Sequence, residues 1–148
     1  MKIGILSDTH GILRSELLAT LQECDYLIHA GDINTGNSYK KLKELGIPIY
    51  MVRGNCDMGE WAEFIPDFLQ VPIGGKRFFI VHNQADLPFD LTDADYIIFG
   101  HTHRYTCYDR FGKIFLNPGS ASQPRDGSRS IAILEQNDDN YEIRRVLL

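Results

Sequence analysis

The sequence predicts an α/β fold in which two β-sheets pack together with helices outside them, and three observations support this. In the first third of the chain, short apolar runs alternate with segments whose apolar residues recur at helical spacing. In the remainder, strand-like segments are separated by turn sequences such as Gly74-Gly75. The 148 residues, 43% of them hydrophobic, suit one globular domain with a real core. We therefore expect a single domain over residues 1–148.

The first half of the chain has the order strand, helix, strand, helix, strand. Apolar runs predict strands at 3–7, 26–30 and 49–52. Leucines and a tyrosine at helical spacing predict helices at about 14–23 and 39–45, the second ended by Gly46 and Pro48. Connections this short require right-handed crossovers between parallel strands.

The second half is rich in hairpins. Strands are predicted at 68–73, 76–81, 96–99, 105–108, 114–116, 130–135 and 141–146. Hairpin turns are predicted at 74–75, 109–112 and 137–140, and a further turn at 117–120. Residues 61–66 fit a short helix or a loop, and residues 86–95 are too irregular for a helix.

Polar side chains follow most of the predicted strands at their carboxyl ends. In chain order they are Asp8, His10, Asp32, Asn55, His82, His101 and His103. Open α/β sheets place ligands at this edge, so we expect these side chains to converge. Four of the five histidines of the chain are in this set, and imidazole and carboxylate together suit divalent transition metals. Each residue alone fits an ordinary loop position, but the set predicts a metal site.

Seven donors are too many for one zinc ion, which takes four ligands. They suit two ions that share a bridging carboxylate, clamp a phosphoryl oxygen and ionise a bridging water. The mixture of oxygen and nitrogen donors favours manganese, iron, zinc or nickel over magnesium or calcium alone.

The ordered motifs Asp8-x-His10, Gly31-Asp32, Gly54-Asn55, His82 and Gly100-His101-x-His103 resemble those of the calcineurin-like metallophosphoesterase superfamily, closest to its small single-domain bacterial and archaeal phosphodiesterases. The resemblance covers essentially the whole chain. It implies an αββα sandwich, two mixed β-sheets flanked by helices. It also implies that Asp8, His10 and His103 bind a first metal, that Asn55, His82 and His101 bind a second, and that Asp32 bridges them.

The resemblance implies a dinuclear metal-dependent phosphoesterase, preferably a phosphodiesterase. A metal-bridging hydroxide would attack a small phosphodiester, with Asp32, Asn55 and His101 at the reacting centre. The expected cofactors are two divalent ions, Mn²⁺ first, with Zn²⁺, Ni²⁺ or Fe as alternatives. Of Arg53, Arg104 and Arg125, which could contact phosphate, Arg104 is preferred because it follows a predicted metal ligand.

The chain departs from the family pattern in two places. Cys56 stands where many members have a histidine that is thought to protonate the leaving group. A thiol is a poor general acid, so we expect an inert Cys56 and a preference for good leaving groups. The motif after His82 is His-Asn-Gln instead of His-Gly-His, and the segment from 82 to 101 is short enough to lack a helix. Asp57 either orients a ligand or caps a helix, and His29 is expected to be structural.

Two other function classes are open at this point. The first is a catalytically silent scaffold for protein interaction on the same fold, and the weaker second is a metal-storage or redox protein.

A net charge of -5 argues against nucleic acid as the partner. Three scattered cysteines without a CxxC motif suggest a reducing, cytoplasmic setting, and no apolar run reaches membrane-spanning length. Trp61, Phe64 and Phe68 fit core or dimer-surface positions, which leaves a homodimer open.

Overall fold

Ten strands form two five-stranded sheets that pack face to face. The computed structural model describes residues 1–148. The first half contains β1 (Lys2–Leu6), α1 (Ser15–Leu21), β2 (Tyr26–His29), α2 (Gly36–Lys43) and β3 (Ile49–Met51). The second half contains β4 (Phe68–Ile73), β5 (Lys76–Val81), β6 (Tyr96–Ile98), β7 (Tyr105–Arg110), β8 (Lys113–Pro118), β9 (Ser130–Asn137) and β10 (Asn140–Leu147). Two short 3₁₀ helices lie at Glu60–Ala62 and Gln84–Asp86.

The first sheet has the order β10-β9-β1-β2-β3. Its strands β1, β2 and β3 are parallel, with Ile5 opposite Ile28 and Ile28 opposite Tyr50. The helices α1 and α2 make the predicted crossovers between them. The hairpin of β9 and β10 then joins antiparallel to β1, so the sheet is mixed.

The second sheet has the order β4-β5-β6-β8-β7. Strands β5, β6 and β8 are parallel, and β4 and β7 are added antiparallel at the two edges by hairpins. The predicted fold class, two mixed sheets in an α/β sandwich, is confirmed.

The alternation of side chains along the strands builds three apolar layers. Ile3 and Ile5 of β1 point between the sheets, where they join Phe78 and Ile80 of β5 in the central core. Leu6 of the same strand points the other way, into the layer under α1 and α2. Because successive side chains face opposite sides, both faces of β1 are buried.

The outer face of the second sheet is covered by a loop. Phe79, Ile97 and Phe115 form an apolar layer there, and Leu87 and Leu91 of the loop pack against it. The only helical turn between His82 and His101 is the 3₁₀ turn at Gln84–Asp86, so the predicted absence of an α-helix in this segment is confirmed.

Three turns differ from the prediction, and one of them is the third hairpin, which turns over residues 138–139 alone because Asn137 still pairs with Asn140. The second hairpin turns over Phe111 and Gly112 alone, with φ of 55° and 73°, because Arg110 still pairs with Lys113. Asn117 and Pro118 belong to β8 and are not part of a turn. No helix of the chain meets the length and hydropathy needed to cross a bilayer.

Candidate metal centre

All seven predicted ligands lie at the edge where the parallel strands of both sheets end. Backbone hydrogen bonds join the loops that carry them. The Asp8 N–H donates to the Gly31 carbonyl at 2.9 Å, and the Gly100 N–H donates to the His82 carbonyl at 2.9 Å. Both sheets therefore present their polar strand ends to one shared surface.

A first group of donor atoms comes from Asp8, His10, Asp32 and His103. One ligand atom from each of these side chains lies within 4.8 Å of every other. The Asp8 Oδ1 atom is 3.2 Å from His103 Nε2 and 3.7 Å from His10 Nε2. The two imidazole nitrogens are 3.3 Å apart. Four donors around one small space have the number and chemistry of a divalent metal site.

A second group comes from Asn55, His82 and His101. The Asn55 Oδ1 atom is 3.0 Å from His82 Nε2 and 3.2 Å from His101 Nδ1, and these two nitrogens are 3.3 Å apart. The group is on the solvent side of the site, because Asn55 and His101 are exposed whereas His82 is buried.

Asp32 lies between the two groups. Its Oδ2 atom is 3.6 Å from His10 Nε2 of the first group and 3.3 Å from His82 Nε2 of the second. Its other oxygen, Oδ1, accepts a hydrogen bond of 2.8 Å from the Cys56 N–H, which fixes the carboxylate. One oxygen of Asp32 is thus common to both groups.

The backbone is strained at these positions. Five of the seven predicted ligands have φ in the left-handed region, at 53° for Asp8, 48° for His10, 61° for Asp32, 73° for His101 and 60° for His103. Non-glycine residues adopt this conformation at a cost of roughly 1–3 kcal/mol each, and such strain concentrates at functional sites. The rest of the fold therefore holds these five residues in a backbone conformation that they would not adopt by themselves.

The polar atoms of the site have unshared lone pairs that can bind a cation. Asp8 Oδ1 is buried and has no hydrogen-bond partner. The Nδ1 atoms of His82 and His103 lie 2.7 Å from the Ala30 carbonyl and 2.6 Å from the Gln123 carbonyl. A carbonyl oxygen only accepts, so each Nδ1 carries the proton and each Nε2 directs a lone pair into the site. The residues present therefore fit a bound divalent metal.

The charges of the site are coupled. Burial raises the pKa of Asp8, and the Ser7 hydroxyl and nearby histidines only partly oppose this. Burial would raise the pKa of Asp32 as well, but the neighbouring His82 imidazole and the hydrogen bond from the Cys56 N–H lower it. Burial would lower the pKa of His82, yet Asp32 and Asp8 raise it. The site therefore brings two carboxylates close together, and the neighbouring imidazoles partly balance their negative charge.

Asp57 is the residue whose role the sequence left open, and it organises the loop that carries Asp32. Its Oδ2 atom accepts hydrogen bonds from the N–H groups of Asp32 at 3.0 Å and Gly54 at 2.8 Å. Its Oδ1 atom accepts from the Asn34 N–H at 2.7 Å. Asp57 caps no helix. Its spacing after Gly54-Asn55 was the only signal of this role in the sequence.

The segment from Asn117 to Ser120 forms hydrogen bonds to the loops that carry the predicted ligands. The Ser120 hydroxyl donates to the Asp8 carbonyl at 2.8 Å. The Asn117 amide donates to the Gly100 carbonyl at 3.0 Å. Both residues are fully buried, so they fix the backbone on either side of the site.

His29 and Cys56 take no donor position. His29 is fully buried, accepts from the Gly31 N–H at 3.1 Å through Nδ1 and faces Thr9 Oγ1 at 2.9 Å through Nε2. Burial lowers its pKa to about 3, so it is the neutral structural histidine that was predicted. Burial and the charge of Asp32 raise the pKa of the Cys56 thiol, which keeps it protonated.

Two cavities flank the site. One of about 490 Å³ is lined by Arg53, His82 and His101, among others. The other, of about 570 Å³, is lined by His10, Arg104 and Arg125, among others. The three candidate arginines are thus separated, with Arg104 and Arg125 on one side and Arg53 on the other.

The family model of the calcineurin-like phosphoesterase superfamily domain matches residues 1–139. The chain belongs to this superfamily. A phosphodiesterase of Methanocaldococcus jannaschii is 29% identical over 160 residues, which cover 95% of this chain and 96% of that protein. This membership confirms the predicted enzyme class, a metal-dependent phosphoric ester hydrolase.

Solved structures show the same fold. The structure described as a novel archaeal phosphodiesterase has 29% identity, a TM-score of 0.80 and complete coverage of both chains. Vps29 of Entamoeba histolytica, solved with zinc, has 23% identity, a TM-score of 0.75 and 99% coverage of each chain. At that identity the second likeness shows the fold alone.

Proposed function

We propose that the chain is a phosphodiesterase that uses two divalent metal ions to hydrolyse a small phosphodiester. The observation that carries this proposal is the arrangement of seven donor side chains in two groups that share Asp32 Oδ2. In this proposal Asp8, His10 and His103 hold one ion, Asn55, His82 and His101 hold the other, and residues 1–148 act as one domain. Mn²⁺ is the preferred metal, with Zn²⁺, Ni²⁺ and Fe as alternatives.

Two divalent ions bound there would supply Lewis acidity at a phosphoryl oxygen and acidify water at neutral pH. The protein supplies orientation. The carbonyl partners of His82 and His103 fix the ring protons on Nδ1, so that Nε2 stays unprotonated toward the site. Asn55 and His101 are the exposed ligands, and they stand at the wall shared by the two cavities. A substrate phosphate therefore reaches the site at Asn55 and His101, with Arg104 as its contact in the second cavity.

Cys56 lines the second cavity beside Asp32 and presents no strong acid to a leaving alkoxide. Its raised thiol pKa keeps the proton in place but makes its transfer slow. The rate is therefore expected to depend steeply on the leaving group, with good leaving groups hydrolysed fastest.

The test is hydrolysis of bis(p-nitrophenyl) phosphate by the purified protein with Mn²⁺ or Ni²⁺. We expect turnover that chelator abolishes and that fresh metal restores. Asp32→Asn should abolish turnover, whereas the matched change Asp109→Asn, at an exposed position in β7, should leave it intact. No turnover across a panel of metals, with binding of those metals demonstrated, would contradict the proposal.

A catalytically silent scaffold is the second candidate, and Cys56 at the position of the family's histidine is the observation that favours it. A scaffold has no need for five ligands in strained left-handed backbone, which favours the enzyme. The same assay separates the two.

We also propose a cytoplasmic setting, since the three cysteines are unpaired, and a homodimer stays a hypothesis.

A further inference from the structure

The two cavities beside the metal centre differ in charge. They share Asn55 and His101 as a common wall, so a diester whose phosphorus lay at this wall would have one cavity on each side for its two alcohol arms. The two arms would then meet different surroundings.

The first cavity is unfavourable to a further anion. Asp67 and Asp86 both line it, and its single arginine, Arg53, is already engaged. The Arg53 Nε and Nη2 atoms each lie 3.1 Å from Asp67 Oδ1. With Phe68 and Val81 as its apolar lining, this cavity suits an uncharged arm that has an apolar face and hydroxyl groups.

The second cavity has two arginines whose side chains are free. Arg104 and Arg125 are exposed, and neither guanidinium forms an ion pair or a hydrogen bond within the chain. Only their backbones are held, the Arg104 N–H by Thr102 Oγ1 at 3.3 Å and the Arg125 N–H by the His103 carbonyl at 2.9 Å. Apart from Asp32 of the metal centre, no carboxylate lines this cavity.

Both arginines lie next to His103. Arg104 follows it in the sequence, and the Arg125 backbone N–H donates a hydrogen bond to its carbonyl. Two unpaired guanidinium groups in a chain of net charge -5 mark a local exception to its acidic surface. A guanidinium binds phosphate oxygens bidentately, and two of them match the charge of about -1.5 to -2 on a phosphate monoester. A carboxylate has half that charge.

We propose that the substrate is a phosphodiester with a second phosphate group on one arm, and that Arg104 and Arg125 bind this second phosphate. The inference rests on the proposed phosphodiesterase function and names the class of its substrate. Thr102 and Gln123, which also line the cavity, contact the arm between the two phosphates.

The test compares two activated esters that differ in one group. These are thymidine 5′-(p-nitrophenyl phosphate) and the same ester with an added 3′-phosphate, both assayed with Mn²⁺. We expect kcat/KM to be at least about tenfold higher for the ester with the 3′-phosphate, the effect of one charge-assisted hydrogen bond. Arg125→Gln should raise KM for this ester about tenfold and leave KM for the simpler ester unchanged, whereas Arg104→Gln should raise KM for the ester with the 3′-phosphate more than KM for the simpler ester. Arg110→Gln, the same change in the distant β7 hairpin, should alter neither.

Binding gives a second readout that does not depend on turnover. Thymidine 3′,5′-bisphosphate should bind the Mn²⁺-loaded protein about tenfold tighter than thymidine 5′-phosphate in calorimetric titration, and the double arginine variant should lose the difference. Equal affinities, or equal KM for both esters in the wild type, would overturn the inference. If neither ester is hydrolysed but the bisphosphate still binds selectively, the proposed hydrolysis fails while the phosphate subsite stands.

Discussion

Asp57→Ala is the perturbation that tests most sharply how the fold holds the metal centre. The change removes the acceptor of three backbone N–H groups, at distances of 3.0, 2.8 and 2.7 Å. Two of these donors, on Asp32 and Gly54, are buried, and the third, on Asn34, is half-buried. A buried donor without a partner costs ~1–3 kcal/mol, so the loss sums to about 3–6 kcal/mol.

That loss is a large fraction of the roughly 5–15 kcal/mol by which a domain is stable. At ~2–4 °C per kcal/mol for a chain of this size, the melting temperature should fall by roughly 6–24 °C. Asp32 should also leave its left-handed conformation, since the hydrogen bond to Asp57 is one of the contacts that hold it there. We expect the affinity for metal to fall about 10–100-fold, the usual effect of losing a group that orients a ligand.

The assays are thermal unfolding followed by circular dichroism and calorimetric titration with Mn²⁺. Asp57→Asn is the matched variant, because its amide oxygen can keep the two bonds to Asp32 and Gly54 and lose only the one to Asn34. Its melting temperature should fall less than half as far. Asp109→Ala, at an exposed position, should change neither quantity. A melting temperature for Asp57→Ala within a few degrees of wild type, together with unchanged metal affinity, would refute this reasoning.

Three further predictions concern single positions. His103→Ala should empty mainly the first metal position and His101→Ala mainly the second, measured as metal stoichiometry; loss of neither ion would show the assignment to be wrong. Cys56→His should speed the hydrolysis of esters with poor leaving groups at least about tenfold and leave bis(p-nitrophenyl) phosphate unaffected, as a general acid does. Burial would raise the pKa of Asp126, but the backbone N–H of Tyr105 and the side chain of Arg145 lower it. The stability from Asp126 is therefore present above its unfolded pKa and lost as pH falls through the folded one, so Asp126→Asn should cost about 1–3 kcal/mol in urea unfolding at pH 7 and less at pH 3.

The elements that the sequence predicts well are those with a strong local pattern. The apolar runs of β1, β2 and β5 end in polar residues, and the side chains of Asp8, Asp32 and His82 follow them in the structure as expected. Such strands are buried on both faces, so an uninterrupted run of apolar residues is enough to identify them. The convergence of their ends then follows from the parallel arrangement of the strands.

The features that could not be predicted from the sequence depend on contacts between segments that are distant along the chain. Asp57 is an ordinary loop aspartate until Asp32 and Asn34, more than 20 positions earlier in the chain, are seen to donate to it. The left-handed backbone of His101 and His103 has no sequence signal, because it is imposed by packing and hydrogen bonds, not by propensity. The free guanidinium of Arg125 becomes significant only once the structure shows that the Arg125 backbone N–H donates to the His103 carbonyl, which places the residue beside Arg104.

Anomalous scattering from crystals grown with Mn²⁺ would show directly whether two metal ions share Asp32. We expect two peaks on either side of the Asp32 carboxylate, one in contact with His103 and the other with His101. A single tetrahedral ion at this edge, or two ions of which neither contacts Asp32, would contradict it.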